Sequence, residues 1–210
     1  SLGSLLSIVV GFVSIVLFEG YLGDLVGIQA QWYTQRSMMG HVMAEHRDAS
    51  ARVGRDSTFD VALQPEDQAV VDAFLDERSE EVDARMRSLA LGGLASNGRS
   101  GLIFIGWAYD VEEAARLRGR WAWNVSAGVP LQEAGGNSVL LGHTFAGLLD
   151  CEAPSPEGTV GRDGWPTGAR RPITCRQARL QLTATTETGQ LNAIDPTIVG
   201  AFDAGLKDID

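Results

Sequence analysis

Lysine is almost missing from this chain of 210 residues: Lys207 stands alone beside sixteen arginines, and together they face 27 acidic residues. The resulting net charge of −10 repels a phosphate backbone and argues against nucleic acid as a partner. Histidine is scarce as well (His41, His46, His143), and Glu45-His46 lacks the second histidine of an H-E-x-x-H zinc site. Cysteine occurs twice, at Cys151 and Cys175, without the C-x-x-C or His/Cys spacings that hold zinc. Neither G-x-x-x-x-G-K-[ST] nor G-x-G-x-x-G occurs, which removes the loops that cradle nucleotide phosphates. Ser96 sits in GLASNG and not in G-x-S-x-G, while Asp110, Glu112 and Glu113 mark a helix start, not a carboxylate dyad. The expectation is a protein that is not an enzyme, with no catalytic, cofactor-binding or metal-binding residues.

Apolar residues make up 44% of the chain and charged residues 21%, a globular balance that excludes wholesale disorder. The apolar content is concentrated at the N-terminus, where Ser1 to Phe18 carry no charge. As a helix this stretch is roughly 27 Å long, close to the ~30 Å hydrocarbon core of a bilayer. Ile8, Val9, Val10, Phe12, Val13, Ile15, Val16, Leu17 and Phe18 cover every side, so it lacks the polar stripe of a soluble amphipathic helix. A transmembrane helix is the favoured reading, and the lack of an initiator Met fits an excised or trimmed start. A secretory signal peptide and a buried core helix are the competing ones. A signal peptide wants a basic n-region and an A-x-A cleavage site, yet the first basic residue is Arg36. Glu19 and Asp24 follow the apolar run, and since basic residues are retained in the cytoplasm, this acidic flank points the bulk of the chain away from it. Tyr21, Leu22, Leu25, Val26, Ile28 and Trp32 keep helical spacing beyond the span, so residues 1–36 read as a membrane helix continued by a stalk.

The rest, residues 37–210, reads as one α+β domain of hairpins and short helices. HVMAE (His41 to Glu45) and Val82 to Leu91 are strand candidates, and Leu102 to Tyr109, LIFIGWAY, has the strongest strand signal. Pro65 opens a helix with Glu66 and Asp67 in its first turn, and Asp110 caps a second one. Val139 to Leu149 reads as strand running into helix, and Leu180 to Ala184 and Thr197 to Phe202 as strands. Between the cysteines lies a segment rich in Pro and Gly, residues 151–175, which reads as a loop. In an oxidising compartment Cys151 and Cys175 would close it as a disulfide, worth roughly 3–4 kcal/mol by loop entropy. Two unpaired buried thiols are the alternative.

Several motifs, in order, carry a family likeness. LFEGYLGDL with its Glu19-Gly20 pair, the helical run QWYTQRSMMGHV with Gly40-His41, LIFIGWAYDVEEAARLRGRWAWNVSAGVPL, NSVLLGHTFAGLLD and LNAIDPTIVGAFDAG together resemble the first span and periplasmic core of FtsX-like ABC transporter permeases, the macrolide-export and lipoprotein-releasing type with a MacB-like periplasmic domain. The resemblance implies a permease subunit at the bacterial inner membrane, its bulk periplasmic. Its partners would be a cytoplasmic P-loop ATPase, a second permease copy or paralogue, and a periplasmic protein or lipoprotein. Motion driven by ATP hydrolysis in the ATPase would pass through the stalk to the periplasmic domain. The family continues with more periplasmic domain and three further spans, so the chain is expected to be a piece of a permease or a shortened relative. Candidate contact residues are Trp107, Tyr109, Trp121, Trp123 and Trp165, for which core packing is the alternative role. Two other readings compete: a type IV pilin-like filament subunit, and a single-pass membrane-anchored binding module.

Overall fold

A computed structural model describes residues 2–49, 61–119, 125–154, 170–186 and 188–202. The chain forms two units, Ser1–Val42 and Met43–Asp210.

The first unit is helix α1, Leu2–Gln31, continued by a π-helical turn over Trp32–Arg36. Its 30 residues run without a break, about 45 Å at the α-helical rise. The hydroxyls of Ser7 and Ser14 donate to the carbonyls of Gly3 and Val10 one turn back, so these two polar groups are satisfied inside the helix. No residue of α1 is buried, and its Leu, Ile, Val and Phe side chains lie open on all sides. It is the one described helix long and apolar enough to cross a membrane. At its end the rings of Trp32 and Tyr33 meet edge to face at 5.1 Å. Met38 and Gly40, both with positive φ, then break the helix, and the amide of Gly40 donates back to the carbonyl of Thr34. The strand expected over His41 to Glu45 does not form: this stretch has no ladder partner, and Val42 is 88% exposed. β-Propensity stabilises a strand only where a neighbouring strand supplies cross-strand packing.

The second unit opens with helix α2, Pro65–Glu77, which has Pro at its start and Glu66 and Asp67 in its first turn. Two ion pairs, Asp72 with Arg87 (2.6 Å) and Asp76 with Arg85 (2.7 Å), tie it to the segment that follows. That segment, residues 82–87, alternates in burial as the sequence suggests, yet it joins no ladder. Strand β1 starts later, at Ser88–Ser96, and pairs antiparallel over its whole length with β2, Gly101–Tyr109. The turn between them is held by Asn97, whose Oδ1 accepts from the amides of Arg99 and Ser100 while its amide group donates to the Leu149 carbonyl at 3.0 Å. Helix α3, Val111–Arg118, is capped by Asp110, which accepts from the amides of Glu112 and Glu113.

Strands β3 (Val125–Gly128), β4 (Ser138–Gly142) and β9 (Thr197–Phe202) form a three-stranded sheet with β9 in the middle, antiparallel to β3 and parallel to β4. Helix α4, His143–Leu148, follows β4 directly. Cys151–Glu152 (β5) and Thr174–Cys175 (β6) make a two-residue ladder. Strands β7 (Gln181–Thr185) and β8 (Leu191–Ile194) complete a second sheet in the order β2-β1-β7-β8, antiparallel throughout. The core gathers between these elements: Ala95, Leu141, Ala146, Leu149, Cys151, Leu180, Ile198 and Ala201, with Leu102, Phe104 and Leu182 packed around them. A long apolar helix followed by a mixed α/β domain is thus the architecture the composition pattern implied.

Candidate interaction face

The four-stranded sheet has one face on the core and one that is open. Residues directly opposite in an antiparallel pair share a face, so Gly93 with Phe104 and Ala95 with Leu102 point to the core, while Ala90 with Trp107, Gly92 with Ile105 and Leu94 with Ile103 point the other way. On that open face Ile103 is 84%, Ile105 77% and Trp107 55% exposed, and Leu94 is about half exposed. β7 continues the face with Thr183 and Thr185, and β8 with Leu191 and Ala193. None of the four strands contains a charged residue, in a chain where charged residues are 21% of the total. β2 is also an edge strand of nine residues. It has no Pro, charge or bulge, the usual devices that blunt such an edge against other chains. A contiguous apolar surface of this kind marks a place where something else packs.

Trp107 stands on the edge strand β2 of this surface, opposite Ala90. Tyr109 lies two residues on along the same face but is only partly exposed. Burial pushes its hydroxyl above the ordinary tyrosine value, a shift the nearby Arg118 guanidinium partly opposes. The folded protein therefore holds this proton more tightly than the unfolded chain, so alkaline pH favours unfolding. Stability is expected to fall as pH rises beyond the ordinary tyrosine range near 10. A Tyr109→Phe variant should lose that part of the decline when thermal midpoints are compared across alkaline pH; an unchanged decline would assign it to other groups. Trp121, Trp123 and Trp165 lie outside the described residues.

The cysteines are paired: Cys151 and Cys175 form a disulfide across the β5–β6 ladder, 24 residues apart in sequence. Among the described residues no group of three or more His, Cys, Asp and Glu stands together in a way that could hold a metal ion. His46 accepts a hydrogen bond from the Asp48 amide, and His143 begins α4.

Sequence reasoning singled out Trp107 but missed Leu94, Ile103, Ile105 and Leu191. A signal was present. LIFIGWAY is apolar at both odd and even positions, and such a strand is expected to be covered on both faces. Here the protein covers only one of them among the described residues. Set against models of known families, curated proteins and solved structures, the chain matches none.

Proposed function

We propose that this chain is the membrane-anchored periplasmic portion of an ABC transporter permease subunit that transmits motion, with its α/β domain on the non-cytoplasmic side of a bacterial inner membrane. The observation that carries the reading is α1, thirty helical residues without a break, uncharged from Leu2 to Phe18. About twenty of them suffice to span a bilayer. The remaining turns continue as a stiff rod, the part a permease needs to pass a tilt from membrane to head. The acidic flank of Glu19 and Asp24 supports the outward orientation, and the Cys151–Cys175 disulfide fits an oxidising compartment. The ordered motifs from Glu19-Gly20 and Gly40-His41 to LNAIDPTIVGAFDAG support the family. In this reading the chain itself carries out no hydrolysis. A cytoplasmic P-loop ATPase supplies the energy, a second permease copy or paralogue completes the transporter, and a periplasmic protein or lipoprotein is the moved partner.

The test is purification of the native protein from its own membranes in mild detergent, with mass spectrometry of what accompanies it. A stoichiometric P-loop ATPase is the expected result. Recovery of filament components instead would replace the transporter by the pilin-like reading, and recovery in the soluble fraction would remove the membrane assignment of α1.

A further inference from the structure

The open sheet face is built in a way that lets it cover itself. Its two edge strands carry large apolar side chains at the same level. Ile105 on β2 pairs with Gly92 on β1, the next level along from Gly93 with Ala184, and Leu191 on β8 pairs with Thr185 on β7. Ile105 and Leu191 therefore lie level with each other at opposite margins of the sheet, 77% and 76% exposed, with the small Gly92 and Thr185 between them. A two-fold axis running along the strands, between β1 and β7, exchanges the two margins. It sets Ile105 of one copy on Leu191 of the other, twice, by symmetry. Sheets packed this way lie about 10 Å apart with their strands within about 30° of one another.

Area and charge favour this occupant. Leu94, Ile103, Ile105, Trp107 and Leu191 are between 47% and 84% exposed. With one aromatic and four aliphatic side chains exposed to this degree, the face presents on the order of 600 Å² per copy, somewhat below the ~800 Å² per partner of a standard interface. Polar Ser96 and Gln181 sit together at one end of this face, and Thr183 and Thr185 lie within it on β7. A partner selected by Coulomb attraction would meet charges here, and the four strands contain none. A surface of matching chemistry, uncharged and largely apolar, is the same face of another copy.

We propose that two copies of this chain pack face to face through the β2-β1-β7-β8 sheet, with Ile105 of each copy against Leu191 of the other. This pairing stands independently of the transport reading: losing it leaves copurification of an ATPase untouched, and the absence of an ATPase leaves the pairing untouched.

The experiment uses the full chain in detergent micelles and in native membranes. Ile105→Cys copies mixed with Leu191→Cys copies should be joined by a short thiol crosslinker at least tenfold more than Val70→Cys copies mixed with Leu191→Cys copies. Val70 is a fair control because it is 70% exposed and lies on α2. Within one copy Ile105 and Leu191 are separated by two intervening strands, about 14 Å at the usual strand spacing, so the product reports two copies. Ile105→Arg alone and Leu191→Glu alone should each weaken association tenfold or more. Mixing these two variants should restore it, since the mixed pair holds one Arg–Glu contact and one Ile–Leu contact. Both positions are exposed, so an unchanged thermal midpoint verifies the fold. Added salt should strengthen the pairing, because it screens two chains of net charge −10 while leaving apolar burial intact. The proposal is overturned by equal crosslinking at Val70, by association that survives Ile105→Arg, by a mixture that does not recover, by dissociation in salt, or by crosslinking of position 105 to a different protein in native membranes.

Discussion

Gly128→Ala is expected to destabilise the α/β domain by about 3–5 kcal/mol, lowering its thermal midpoint by roughly 6–20 °C. Two separate penalties meet at this residue. Its φ of +79° lies in the left-handed region, where a side chain costs about 1–2 kcal/mol. Its backbone also presses against β9: a Cβ there would overlap the Val199 carbonyl and come within 2.6 Å of the Gly200 Cα. That overlap has no flexible side chain to yield, because the obstacle is the backbone of the central strand. The same stretch is fastened on both sides, with the Gly128 amide donating to the Arg171 carbonyl at 2.7 Å and the Val129 amide donating to the Val199 carbonyl at 3.0 Å. Relief would require breaking the β3–β9 pairing beside Ala127 and Ala201, which are fully buried. Gly98→Ala separates the two penalties. Gly98 has nearly the same φ, +81°, but sits in the β1–β2 turn, where an added Cβ would have open space for 4 Å around it. It should cost only the conformational share, about 1–2 kcal/mol. Thermal melts of both variants in micelles decide the point: equal losses would mean that the close approach at Gly128 contributes nothing.

What the sequence reveals of this fold follows the range over which each signal acts. Asp110 is legible as a cap because its partners, the amides of Glu112 and Glu113, lie two and three residues away. Pro65, Glu66 and Asp67 are legible for the same reason, as is the apolar helix, whose charge-free run is a one-dimensional property. Strand limits are less so. Residues 82–87 alternate in burial as a strand would, but their arginines are engaged by Asp72 and Asp76 of α2, and the ladder begins only at Ser88. His41 to Glu45 has strand-like composition but joins no ladder among the described residues. The four-residue β3 is hidden in the sequence because its place depends on β9, some seventy residues later. The interaction face is legible only in part. The sequence shows that β2 is apolar on both sides, but which side meets the core is decided by β1, β7 and the residues around Leu149 and Leu180. Leu191 reads as an ordinary strand residue until the β2-β1-β7-β8 order sets it level with Ile105.

Removing the disulfide with the double substitution Cys151→Ala and Cys175→Ala is expected to cost about 3–4 kcal/mol through the freedom returned to the unfolded chain. The bridge closes a loop of 24 residues' separation. The β5–β6 ladder itself is a weak clasp, two residues on each strand and not stable in isolation, helped by the bridge of Arg171 to Ala127. The position of the clasp raises its importance. Cys151 is buried in the core cluster immediately after Leu149, itself 1% exposed. The Asp150 carbonyl accepts the Arg176 amide at 3.1 Å, and the Leu149 carbonyl accepts from Asn97, which holds the β1–β2 turn. Release of the loop therefore loosens the end of α4 and the turn of the sheet that carries the open face. The thermal midpoint of the double variant should fall by roughly 6–15 °C, and treatment of the wild-type chain with reductant should reproduce the shift. Adding reductant to the double variant should change nothing further. A loss below about 1 kcal/mol would mean that the core around Leu149 and Leu180 already restrains the ends of this loop without the bridge.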